Sequence, residues 1–192
     1  MSNRIRIDGW RRDAQRMNDE SASFENTKPA RSRSGLDADA IEAIATVLNK
    51  LLADSIALYL KTKSFHWHIS GPHFRDYYSL LGEQAGQILE SIDPIAERVR
   101  KLGAQSLRSV GDVCRLKHIR DNDNDHIPPH DMLAELETDN QTLANHMRSA
   151  HMICDWYGDI ASASLLEACI DDAEGRIWFL SQACAAERTI RT

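Results

Sequence analysis

Asp93 and Glu97 stand four residues apart in a stretch whose apolar residues recur at helical spacing, so both carboxylates project from one stripe of one helix. That stripe is expected to be apolar, and a carboxylate held away from water needs a cation or a proton. His66 lies in the run Phe65-His66-Trp67-His68. One imidazole nitrogen with two carboxylates makes a good iron(II) donor set. By type alone two other readings stay open: Glu97 as the partner of a neighbouring arginine, and His66 as a structural histidine among aromatics. His68, His73, His126, His130, His146 and His151 converge on no obvious site and are read as surface or core residues. The run Asp121–Asp125 lacks the glycine and distal glutamate of a calcium loop and reads as a solvated connection.

Long helices must position these groups. Ile41, Ile44, Leu48, Leu52, Ile56 and Tyr59 share one face, which predicts a first helix from about Leu36 to Ser70, ended by Gly71-Pro72. Tyr77, Leu81, Ile88, Ile92, Ile95, Val99 and Leu102 mark a second, stopping at Gly103 and carrying Pro94 inside it, where a proline removes a hydrogen bond and can kink the chain. Between Gly103 and Pro129 the connection is too long for a hairpin turn and holds a short amphipathic piece near Val110–Leu116. A third long helix carries Leu133, Leu136, Leu143 and Met147. After a break near Gly158, a fourth carries Leu166, Ile170, Ile177, Leu180 and Cys184. No sustained period-two alternation predicts a strand, so the fold is read as all-α, a four-helix bundle with one long crossover.

The chain has 192 residues, is 42% hydrophobic and carries a formal charge of −6, which excludes a surface built throughout to grip nucleic acid. Residues 1–35 differ from the rest: eight basic against five acidic residues and no sustained apolar period, the composition of a flexible, mildly basic arm. Its charge of +3 is joined to a body of −9. Arg4, Arg6, Arg11, Arg12, Arg16, Lys28, Arg31 and Arg33 are positioned to reach phosphates, giving salt-sensitive, non-specific contact with DNA if they do. The four cysteines, Cys114, Cys154, Cys169 and Cys184, form no CxxC pair and are read as buried, reduced thiols. No stretch reaches the roughly 20 uncharged apolar residues of a membrane span, and the N-terminus lacks a signal-like apolar core, so a cytoplasmic protein is expected.

The run Lys61-Thr62-Lys63-Ser64-Phe65-His66-Trp67, followed by Gly71-Pro72-His73-Phe74, resembles the signature of the Dps family, the DNA-protecting mini-ferritins of the ferritin-like superfamily. The likeness continues through Asp93, Ile95-Ala96-Glu97-Arg98 and Leu102-Gly103 to Ile177-Trp178-Phe179-Leu180, covering residues 36–187 as the bundle and leaving 188–192 as a tail. It implies a ferritin-like bundle assembled as a dodecameric shell in a bacterial cytoplasm. Within it, iron(II) would be oxidised, preferably by hydrogen peroxide, and stored as ferric mineral. His66, Asp93 and Glu97 match family iron ligands, the imidazole from one subunit and the carboxylates from its partner. Asp155 and Asp159 fall where the family lines its iron-entry pores. The family's second histidine and acid, twelve and sixteen residues after the first histidine, are here Tyr78 and Gly82. A phenol is a poor iron(II) ligand, though as phenolate it suits iron(III), and glycine offers none. With Pro94, these departures leave an alternative: a shell that binds DNA or buffers metal around a degenerate oxidation centre.

Overall fold

The computed structural model describes residues 35–190. Among them are five helices and no strand: α1 Ala38–His68, α2 Phe74–Lys101, α3 Val110–Leu116, α4 Pro129–Trp156 and α5 Ile160–Ile190. The basic arm lies outside the described residues, and so do its candidate DNA contacts.

Local chemistry sets the helix ends. Asp37 caps α1 by accepting from the Ala40 amide at 2.8 Å, and Ser109 caps α3 through Asp112 N at 3.2 Å. Pro129 opens α4, where its missing N–H costs nothing. Gly103 adopts φ 88° after α2, and the Ala104 amide reaches back to Val99 O at 3.2 Å, a left-handed stop that a side chain would strain.

Cross-helix bonds give the topology. Lys61 of α1 holds Glu135 and Asp139 of α4 at 2.7 and 2.6 Å, while Asp54, two turns earlier on α1, meets His146, two turns later on α4. The pair is therefore antiparallel. By the same logic, α2 and α5 run antiparallel: Gln84 bonds Arg176 O, and Arg98 bonds Ser162 and Asp159. Short turns join α1 to α2 and α4 to α5. Helices α2 and α4 thus point the same way, and residues 102–128 must travel the bundle's length, roughly 42 Å for 28 residues of helix. That is the crossover, with α3 inside it.

The four long helices close on one core. Ile44, Leu48, Leu52 and Leu58 of α1 meet Leu81, Ile88, Ile95 and Val99 of α2, Leu133, Leu136 and Leu143 of α4, and Leu166 and Leu180 of α5, all essentially without solvent contact. Each such side chain contributes about 1.5–3 kcal/mol on burial. A polar layer crosses this core: the Arg176 Nε–H donates to Asn140 Oδ1 at 2.7 Å, and burial pulls the guanidinium below its ordinary value. Cys154, Cys169 and Cys184 are buried as expected, but Cys114 on α3 is exposed because no residue of that short helix is buried. By length and composition alone α1 is long and apolar enough to cross a membrane, though Lys50 and Asp54 interrupt its apolar stretch, so it holds no uncharged run of about 20 residues. Half of that apolar stretch is buried inside the bundle, the pattern of a core helix.

Candidate metal centre

His66 sits near the end of α1, turned toward α2 and almost wholly buried. Its Nδ1 lies 2.8 Å from the backbone carbonyl of Tyr78. A carbonyl only accepts, so Nδ1 carries the hydrogen and the neutral ring keeps its lone pair on Nε2, the tautomer that can ligate a metal. The Tyr78 ring stacks on the imidazole with centroids 3.8 Å apart, and Phe74 packs on Tyr78 at 5.3 Å. Gly82 completes the cradle. A Cβ there would stand 3.1 Å from His66 Cε1 and 3.4 Å from Nδ1, so the ring occupies the space a side chain at 82 would need.

The two carboxylates are not where the sequence pattern put them. Asp93 and Glu97 are exposed, and Glu97 pairs with Lys101 at 2.9 Å in a solvated contact. The reason is rotational: each precedes a core residue, Ile95 or Val99, by two positions, which turns it about 200° away from the buried stripe. The pair shares a face, but the face opposite the core. Nor do they approach His66 within the chain. Gly82, against which the imidazole rests, is about 16 Å up the helix from Asp93 and about 22 Å from Glu97. Helix α2 continues unbroken through Pro94. Glu90 and Pro94 are both exposed, so water can reach the carbonyl left without its donor.

Asp155 is exposed at the end of α4. Asp159, by contrast, is buried: it accepts from Arg98 at 2.5 Å and from the Ser162 amide at 3.3 Å, neutralising a guanidinium and capping α5. Within this subunit its carboxylate is engaged in the α2–α5 contact. Acid pairing with a neighbouring arginine therefore does occur here, at Asp159 rather than Glu97.

With this geometry, residues 45–189 match the Ferritin family, described as a ferritin-like domain. A DNA protection during starvation protein from Agrobacterium fabrum is 32% identical over 153 residues, covering 80% of this chain and 94% of the relative. The chain belongs to the Dps family. Solved structures agree with that placement. Antigen TpF1 of Treponema pallidum superposes with a TM-score of 0.75 at 30% identity, over 80% of this chain and 99% of that one. So does the Dps protein of Vibrio cholerae O1, described as a member of a broad superfamily of ferritin-like diiron-carboxylate proteins: TM-score 0.75, 25% identity, 80% and 97% coverage. This Dps chain is a mini-ferritin in fold, with a histidine cradle on one end of α2 and an acidic pair toward the other.

One group escaped the sequence reading. Asp54, His118 and His146 bring three ligand atoms within 4.8 Å of one another, the one such cluster among the described residues. Their positions in sequence, on α1, the crossover and α4, carry no short-range spacing that would have betrayed them.

Proposed function

We propose that this Dps chain assembles into a closed shell whose iron(II) sites form between subunits: His66 from one, Asp93 and Glu97 from another. The observation that carries this reading is the separation along α2. A buried imidazole with its Nε2 lone pair free and two solvated carboxylates roughly 16–22 Å away cannot share an ion within one chain, but a second copy docked on this face can bring them together. Apolar surface supports such docking. Leu60 and Trp67 of α1, Phe74, Tyr78 and Leu89 of α2 and Val110 of α3 are large apolar side chains left exposed in the subunit, which a docked copy would bury. The expected assembly is the family's dodecamer.

The chemistry is iron(II) oxidation with hydrogen peroxide. Two iron(II) ions each give one electron, the O–O bond breaks, and two protons complete two waters; the ferric product is stored as mineral inside the shell. One ion per site delivers electrons singly, so a second ion nearby is what suppresses radical release. The missing side chain at 82 favours a variant of this reading: His66 holds one iron firmly, the second is held loosely or through Tyr78 as phenolate, and the shell buffers metal as much as it oxidises it. The basic arm, residues 1–34, is proposed to hold DNA phosphates by many weak contacts.

The test is anaerobic loading of the metal-free shell with iron(II), then peroxide, with ferric absorbance and hydroxyl radical followed against Asp93→Ala/Glu97→Ala. Rapid, variant-sensitive oxidation with little radical supports the oxidase reading. Oxidation no faster than the variant's leaves a metal-buffering shell.

A further inference from the structure

The geometry points to a second metal centre, built by Asp54, His118 and His146, that takes one divalent first-row cation and is independent of the His66 site. Asp54 is fully buried halfway along α1, and its only ion-pair partners among the described residues are these two histidines. One oxygen, Oδ1, accepts the backbone amides of His118 and, at 3.1 Å, Ile119. Those bonds fix the carboxylate and aim the other oxygen, Oδ2, at the two imidazoles. Both Nδ1 atoms stand 3.2 Å from it. That is the long limit for an N–H···O bond, but it is close to the edge of a metal tetrahedron, about 3.3 Å for ligands about 2.05 Å from the ion. The rings meet edge to face with centroids 5.0 Å apart, and the three ligand atoms all lie within 4.8 Å of one another.

Charge and access agree. Among the described residues no lysine or arginine bonds to Asp54, so its buried carboxylate has only the two imidazoles beside Oδ2. A cavity of about 140 Å³ opens on the cluster, lined also by Lys50 and Ser149, so water can fill a fourth coordination position. Two imidazoles and a carboxylate with one or more open positions suit zinc or iron(II) over calcium or magnesium. The three ligands come from α1, the crossover and α4, so the ion would also pin the crossover to the bundle.

Zinc and, anaerobically, iron(II) are added separately to the assembled, metal-free, full-length protein, and bound metal per chain is measured by equilibrium dialysis; cobalt(II) serves as a visible reporter of coordination. Asp54→Asn keeps an oxygen for the two amides and so spares the fold, while removing the anionic ligand; His146→Gln is the second variant. Wild type is expected to bind one equivalent per chain more than either variant, or to bind it more than 100-fold more tightly, since even partners outside the ligand set cost about 10–100-fold. Cobalt should give the intense visible bands of a four- or five-coordinate site. Asp93→Ala/Glu97→Ala should keep this equivalent, which separates the proposal from the function proposed above. Whichever of zinc and iron(II) fills the site names its occupant. Equal binding by wild type, Asp54→Asn and His146→Gln, or loss of the equivalent in Asp93→Ala/Glu97→Ala alone, overturns the proposal.

Discussion

Replacing Gly82 by alanine sets two effects of similar size against each other and separates them by assay. Alanine in a helix interior is favoured over glycine by about 1 kcal/mol. Against this, the new Cβ would lie 3.1 Å from His66 Cε1 and 3.4 Å from Nδ1, so the imidazole must move by a few tenths of an ångström. That shift strains the 2.8 Å bond to the Tyr78 carbonyl, worth about 1 kcal/mol if lost. Global stability, read by urea denaturation of the metal-free protein, should therefore change by less than about 1 kcal/mol. Iron(II) affinity should fall by about fivefold, the same 1 kcal/mol expressed in binding, because the ring loses the contact that orients its Nε2. Anaerobic titration reads that directly, with His66→Ala as the complete loss. A gain in stability with unchanged iron binding would falsify the argument, for it would mean that the ring does not depend on a bare backbone at 82. By the same geometry, Gly82→Asp is not expected to supply the missing acid, since its own Cβ displaces the histidine it would assist.

Asp159→Ala removes both the α5 cap and the partner of the largely buried Arg98, and should destabilise by about 3–5 kcal/mol in denaturant melts, with Asp159→Asn milder because it retains the cap. Burial raises the Asp139 carboxyl above its ordinary value of 3.8, with Lys61 opposing. Ionisation of Asp139 thus costs the folded state stability that is fully present below the unfolded value and lost as pH rises through the folded one. Asp139→Asn, which escapes that loss, should gain on wild type as the pH of the melt is raised from about 3 to about 7; a gap that does not widen in its favour refutes this. Burial also pushes the Cys154 thiol up to about 11, so it should resist a disulfide reagent at neutral pH until the protein is unfolded. Deletion of residues 1–34 should abolish DNA retention on gels at low salt if the arm is the phosphate contact; equal retention with and without it removes the arm from that role.

The sequence by itself determined the helices and their order, because an apolar stripe of period 3.6 and a glycine stop at Gly103 are local properties of the chain. The short helix Val110–Leu116 and the crossover around it were legible for the same reason. It also singled out His66, Asp93 and Glu97, but it set the two acids on the wrong face: periodicity fixes that i and i+4 lie together, not which side of the helix a given pair takes, and two residues of phase carry them from core to solvent. Asp159 was legible as an acid near a turn, yet only packing revealed Arg98 beside it. Asp54, His118 and His146 were invisible as a group, since 64 and 92 residues separate the aspartate from its partners along the chain. Such a cluster exists only once antiparallel packing lays α4 and the returning crossover against α1. The separation of His66 from the carboxylates is likewise tertiary, because it follows from which turn of α2 the end of α1 happens to touch.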